Sequence, residues 1–104
     1  MSMNPSRRVV ESLRLSDLAV DNRIITVRCI LCRTADHYLA KDLQAVRGDV
    51  LYSTVGGACR RCGKREWIRV SHRLPTSEDV GHLRIRRPAG VRTIQLWRED
   101  WFGE

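Results

Sequence analysis

The chain has 104 residues, with 19 basic and 12 acidic side chains and a formal net charge of +7. This length provides one small domain with a modest core, which a bound metal would help to stabilise. No apolar run approaches the roughly 18 residues that a membrane span needs, and the first eight residues lack the apolar stretch of a signal peptide. We therefore expect a cytoplasmic bacterial protein, and we expect it to have no membrane partner.

Residues 1–22 predict an N-terminal segment with a short helix. After a basic, disordered start at residues 1–8, four apolar side chains fall on one side of a helical stretch: Val9, Val10, Leu13 and Leu18. Ser16 is the predicted N-cap of this helix, and Asp21-Asn22 reads as a turn.

Two C-x-x-C steps follow, and each is expected to adjoin a strand. Residues 23–30 are β-branched and alternate in polarity, and they lead directly into the first step, Cys29-Ile30-Leu31-Cys32. The second step, Cys59-Arg60-Arg61-Cys62, precedes a predicted strand over residues 66–70.

The segment between the two steps predicts a helical insertion. A short return strand is expected over residues 37–39, followed by a helix over residues 41–47 that ends at Gly48. Asp49 is then expected to cap a second short helix that reaches Val55.

The four cysteines predict one structural zinc ion. Four thiolates complete the tetrahedral shell of structural zinc and leave no open position for a reactive water. The zinc is therefore expected to be structural, and its ligands are Cys29, Cys32, Cys59 and Cys62. Disulfides and a thioredoxin-like dithiol are the alternatives, but they belong to secreted chains and to βαβ units respectively. Gly63 suits the positive φ of a chain leaving a knuckle, whereas Arg33 takes that place after the first step.

With these motifs, residues 23–70 resemble the zinc-ribbon class. More narrowly, they are similar to small four-cysteine ribbon proteins of alphaproteobacteria, which share the Gly48-Asp49 step and the final Cys59-x-Arg61-Cys62-Gly63. The resemblance implies a small α+β fold, with two knuckles on β-hairpins around one zinc ion and a short helical insertion. It carries no established activity.

The remainder of the chain predicts a linker and a hairpin. Residues 71–81 are polar and read as a linker or long loop. Residues 82–104 predict a C-terminal β-hairpin, with strands over 82–87 and 91–98 and a turn at Pro88-Ala89-Gly90, followed by an aromatic tail. Because an isolated hairpin is only marginally stable, we expect it to pack on the ribbon as part of one domain.

Arginine clusters predict a surface for nucleic acid. Of the 19 basic residues 17 are arginine, which suits bidentate contact with phosphate but also follows from a GC-rich genome. Zinc with four thiolates would add two negative charges and bring the net charge of +7 to about +5. The predicted contact residues are Arg60, Arg61, Lys64, Arg65, Arg69, Arg73, Arg84, Arg86 and Arg87. Ile30 and Leu31, at the corresponding places in the first knuckle, are expected to be packing residues.

Two other functions remain open on the sequence. A protein-protein adaptor would use the hairpin and the aromatic side chains of the tail, Trp97, Trp101 and Phe102, which could also fold back onto the core. An HNH-like nuclease would use Asp36-His37, although the metal ligands expected after the second knuckle are missing. We expect a non-enzymatic binding module that contacts nucleic acid or a nucleic-acid-associated complex, with no small-molecule substrate.

Overall fold

The computed structural model describes residues 13–91 and 95–103 and shows a small α+β fold with two antiparallel sheets. The helices and strands, in chain order, are α1 (Leu15–Ala19), β1 (Ile24–Cys29), β2 (Thr34–Leu39), α2 (Ala40–Arg47), β3 (Ile68–Arg73), β4 (Arg84–Val91) and β5 (Gln95–Trp101). Two short 3-10 helices lie at Tyr52–Thr54 and Ser77–Asp79. Within the described ranges, no helix has the length and apolar character to cross a membrane.

A three-stranded sheet forms the centre of the molecule. Its strand order is β2-β1-β3, with both pairings antiparallel, so that Val27 lies opposite Asp36 on one side and Val70 on the other. The predicted return strand is confirmed but is longer than expected, since β2 begins directly after the first knuckle. Because side chains alternate across a strand, one face of this sheet carries Ile25 and Val27 and the other carries Thr26 and Arg28.

The main hydrophobic cluster lies on the face that carries Ile25, while Ile24 on the other face is also fully buried. The buried cluster joins this face to both helices and to the first 3-10 helix, and its members are Leu15, Leu18, Ala19, Ile25, Ala40, Leu43, Tyr52 and Val55. Tyr52 also meets His72 of β3 edge to face, with ring centroids 5.0 Å apart. The helical insertion between the two C-x-x-C steps therefore covers one face of the sheet.

Helix α1 is capped differently from the sequence-based prediction. The predicted N-cap, Ser16, lies inside the first turn, and Arg14 occupies the cap position. The Asp17 carboxylate accepts the backbone N–H of Arg14 at 2.8 Å, and the Asp49 carboxylate accepts that of Ser16 at 2.9 Å. Asp49 thus caps α1 across the fold, and the helix predicted to follow it is only the 3-10 helix Tyr52–Thr54. The predicted start at residues 1–8, with Val9 and Val10, lies outside the described residues.

The predicted linker begins inside a strand. Strand β3 runs from Ile68 to Arg73, two to three residues later than predicted, because its register follows β1 to the end. The rest of the segment is fixed by Asp79, which is 8% exposed and accepts bonds from both terminal nitrogens of Arg73 (2.8 and 2.7 Å) and from the backbone of Thr76 (2.7 Å). These bonds, of which those from the Arg73 guanidinium have the largest effect, hold the pKa of Asp79 well below its usual range.

The C-terminal hairpin forms, but its turn was predicted in the wrong place. Pro88 and Gly90 lie inside β4, where the pairing with β5 shifts register, and the connection spans 92–94, outside the described residues. Pro88 pairs with Trp97 and Gly90 with Leu96, so Ala89 between them is the extra residue of a β-bulge. The hairpin meets the edge of the first sheet at β2, where Trp97 packs against Tyr38 edge to face, with centroids 5.0 Å apart.

Candidate metal centre

Both C-x-x-C steps lie at one end of the three-stranded sheet. Strand β1 ends at Cys29, β2 begins just after Cys32, and Ile68 of β3 lies opposite Cys29 in the register. The second step reaches the same end because it shortly precedes β3, and its Cys59 N–H donates to the carbonyl of Lys64 at 2.9 Å, which closes a tight loop. We call this region, residues 28–36 and 59–69, the knuckle end.

The four sulfur atoms converge on one point. All lie within 4.8 Å of one another, with Sγ–Sγ distances of 3.8 Å for Cys29–Cys62 and 3.9 Å for Cys32–Cys59. A tetrahedral ion with metal–sulfur bonds of about 2.3 Å separates its sulfurs by about 3.8 Å. These separations exceed the roughly 2.05 Å of a disulfide bond. The cluster can therefore coordinate one metal ion, and the distances are consistent with a single zinc.

Both knuckles use the same left-handed backbone step. The residue after the second pair, Gly63, has a φ of 75°, and the residue after the first pair, Arg33, has a φ of 58°. Glycine adopts this conformation without strain, whereas a side chain costs about 1 kcal/mol there. The first knuckle therefore has the expected geometry despite lacking the glycine that made the second one recognisable.

Backbone N–H groups prepare one sulfur for ionisation. The N–H groups of Arg61 and Cys62 donate to the Cys59 sulfur at 3.3 and 3.5 Å. These two bonds lower the pKa of Cys59 to about 6, and the bond from Cys62 has the larger effect. Burial, supported by its bonds to the other thiols, raises the pKa of Cys32 to about 12. Cys59 therefore ionises readily, whereas the Cys32 thiol favours its protonated form until a cation compensates the thiolate charge.

A close approach and an ion pair hold the second knuckle against the sheet. A Cβ atom at Gly56 would lie 2.6 Å from Ile68 Cγ2, so only glycine permits this approach. Nearby, Arg60 forms a two-bond pair with Asp36 of β2 (3.1 and 2.8 Å) beside a cavity of about 350 Å³. Arg60 thus attaches the knuckle to β2.

The structure divides the predicted nucleic-acid residues into two groups. Four of them pair with carboxylates: Arg60 with Asp36, Arg73 with Asp79, Arg84 with Glu99, and Arg87 with Asp42. Arg86 is half-buried, and its Nε and NH1 atoms are enclosed and have no hydrogen-bond partner among the described residues. Arg84 and Arg87 of the hairpin are therefore charge-compensated by neighbouring carboxylates.

The second group lies at the knuckle end and is exposed. Within the described part of the chain, none of its members forms an ion pair: Arg61, Lys64, Arg65 and Arg69. Arg28 and Arg33, which the sequence reasoning did not select, belong with them. The sequence could have indicated both arginines, because Arg28 immediately precedes Cys29 and Arg33 immediately follows Cys32.

The first knuckle does not pack as expected. Ile30 and Leu31 are 44% and 50% exposed, and Trp67, just before β3, is 37% exposed. The Ile30 N–H donates to the Trp67 carbonyl at 3.0 Å, so these residues are neighbours. Sequence reasoning missed Trp67 because it lay within a predicted strand, where a tryptophan is expected to be buried.

The three aromatic residues of the tail differ in how much of their side chains is exposed. Trp97 packs on the core cluster, and Phe102 is held by backbone bonds to Leu83 (2.7 Å) and Gly81 (2.6 Å). Trp101 is 44% exposed, with the Arg84 guanidinium 5.1 Å from its ring centroid. Of the three predicted partner-binding residues, only Trp101 presents a large surface to solvent.

Asp36 and His37 do not converge on one point. They are consecutive in β2, and Asp36 bonds Arg60 while His37 Nδ1 lies 2.9 Å from the Thr26 hydroxyl on β1. Among the described residues, the four cysteines are the group that could hold a metal ion, and neither of these two residues belongs to it.

Comparison with protein-family models, with curated proteins and with solved structures finds no match to this chain. Its function must therefore be argued from the geometry alone.

Proposed function

We propose that the chain is a zinc ribbon in which one structural Zn²⁺ joins the two knuckles. The basic side chains around these knuckles form a surface that binds nucleic acid. The metal assignment is supported by four cysteine sulfurs at tetrahedral spacing. Four thiolates suit zinc and leave no position for a substrate or water, so the ion acts as a scaffold. A structural site of this kind contributes on the order of 10 kcal/mol to folding.

The charge distribution at the knuckle end carries the nucleic-acid proposal. Residues 28–36 and 59–69 hold seven basic and two acidic side chains, and one of the two acids, Asp36, is already paired with Arg60. Six of these cations form no ion pair among the described residues, and after the two acids and the two negative charges of a zinc–thiolate centre are counted, the knuckle end keeps a net charge of about +3. Such a surface attracts phosphate and releases counterions on binding.

A like-charge pair on the sheet supports the same proposal. Arg28 and Arg69 lie directly opposite each other on neighbouring strands, and both are exposed. Like charges at facing positions of antiparallel strands destabilise a sheet. Bound phosphate would remove this repulsion.

The metal assignment is tested first by metal content. We expect one zinc per chain, and a Co²⁺-substituted protein whose spectrum shows tetrahedral coordination by four thiolates. Cys59→Ser should lose the metal and unfold the three-stranded sheet. A folded wild-type chain that holds no metal after purification with added zinc would disprove the assignment.

Nucleic-acid binding is tested by titration with salt. We expect duplex or single-stranded DNA or RNA to bind at low salt, with log K falling linearly against log salt concentration. Replacing two knuckle cations, Arg61→Gln with Arg65→Gln, should weaken binding about tenfold and lower the salt slope by about 2.

The matched control removes two positive charges elsewhere. Lys41 and Arg47 lie on α2, which begins at the opposite end of the sheet, and both are exposed. Lys41→Gln with Arg47→Gln should leave most of the affinity. Equal losses in the two double variants, or no binding at low salt, would refute the proposal.

A further inference from the structure

Three exposed apolar side chains lie among the free cations of the knuckle end. Ile30 and Leu31 form the tip of the first knuckle, and Trp67 lies beside them at the entry to β3. In the part of the chain that the structure describes, the Trp67 ring has no aromatic or cationic stacking partner. We call these three side chains the knuckle patch.

Trp67 is positioned next to the opposed arginines. The Ile30 N–H···O=C Trp67 bond continues the β1–β3 pairing one step beyond Cys29 and Ile68. Trp67 thus lies opposite Ile30, two pairing steps beyond the facing arginines Arg28 and Arg69. Among the described residues, Trp67 is not one of the side chains that pack on the hydrophobic core cluster.

We propose that the knuckle patch binds single-stranded nucleic acid, with one unpaired base stacked on Trp67 and the neighbouring phosphates on the surrounding cations. Two pairing steps along a ladder span about 7 Å, close to the distance between a base and its flanking phosphates. An aromatic ring beside arginines is the arrangement by which proteins bind single strands without reading sequence.

Charge complementarity selects this occupant over an apolar protein surface. The patch has only three apolar side chains, and the knuckle end that carries it holds one unpaired acid, Glu66, against six cations that form no ion pair among the described residues: Arg28, Arg33, Arg61, Lys64, Arg65 and Arg69. Burying these six cations against an uncharged partner would be unfavourable, whereas phosphates neutralise them. A duplex fits poorly, because its bases are already stacked on both faces. This inference rests on the proposed nucleic-acid function and specifies its substrate.

The test compares two single strands of equal length and charge. One is an ordinary oligonucleotide roughly 12 nucleotides long, and the other has the same backbone with abasic residues throughout. Anisotropy measured at low salt should show the ordinary strand binding about tenfold more tightly to the wild-type protein. Trp67→Ala should lose this preference while retaining the affinity for the abasic strand, and Trp67→Phe should keep most of it.

Trp101→Ala is the matched control, because Trp101 has a similar exposed fraction but lies on the hairpin. It should keep the full preference for the ordinary strand. Circular dichroism and metal content establish that each variant is folded. If both strands bind wild-type protein equally, or if Trp67→Ala retains the preference, base stacking on Trp67 is wrong while the basic surface stands. If neither strand nor a duplex binds at low salt, both proposals fail.

Discussion

His37 shows how the charge pattern acts on a single side chain. Its ring is half-buried on the face of β2 opposite the hydrophobic core, beside the Thr26 hydroxyl. Burial, followed by the positive charges of Arg73 and Arg28, lowers the pKa of His37 below 6.5, against a smaller opposing effect of Asp36 and Asp79. The native state therefore favours the neutral imidazole.

This shift predicts a pH-dependent contribution to stability. A histidine whose pKa is lowered by folding stabilises the native state above its unfolded pKa, and this stabilisation is lost as pH falls below about 6.5. The free energy of unfolding of the wild type, minus that of His37→Gln, should therefore decrease from about pH 7.5 to about pH 5.5. Urea denaturation at each pH measures it, with metal content checked in both proteins. A difference that is constant over this range would contradict the prediction.

At the scale of secondary-structure elements, strands were easier to predict than their ends and caps. The β-branched alternation of residues 23–30 corresponds to β1, and the pattern of residues 41–47 corresponds to α2 with Gly48 as its stop. The hairpin turn was misplaced because Pro88-Ala89-Gly90 is a strong local turn signal, yet the strand accommodates it as a bulge. The cap of α1 was misassigned because its partner, Asp49, is 33 residues from Ser16 in the chain. Local rules cannot detect a bond of that separation.

At the scale of the whole molecule, the two sheets are joined where β2 meets the hairpin. Tyr38 and Trp97 meet edge to face across this junction, and the Arg87 Nε donates to the Asp42 carboxylate of α2 at 3.0 Å. Tyr38 and Trp97 also pack against the buried cluster. We therefore expect hairpin and three-stranded sheet to unfold together.

Trp97→Ala tests this junction. The substitution should lower the free energy of unfolding by about 2 kcal/mol, because it removes the aromatic pair with Tyr38. The loss is smaller than for a fully buried tryptophan, since Trp97 is half-buried. Trp101→Ala should cost under about 1 kcal/mol, since it loses one exposed ring and one contact with Arg84. Urea unfolding followed by far-UV circular dichroism measures both. An unchanged midpoint for Trp97→Ala would show that the hairpin is not coupled to the core.

The amino-acid sequence by itself determined the metal-binding cluster, because four cysteines in two C-x-x-C steps carry their chemistry and spacing locally. It also determined the class of most central elements, since side-chain periodicity is a short-range property. Only the tertiary structure decided which arginines are free. Asp36, Asp42, Asp79 and Glu99 neutralise partners that are near or far along the chain, while Arg28 and Arg69, 41 positions apart in the sequence, become direct neighbours. Exposure at the knuckle patch was likewise undetermined, because burial depends on which face of the sheet the helical insertion covers.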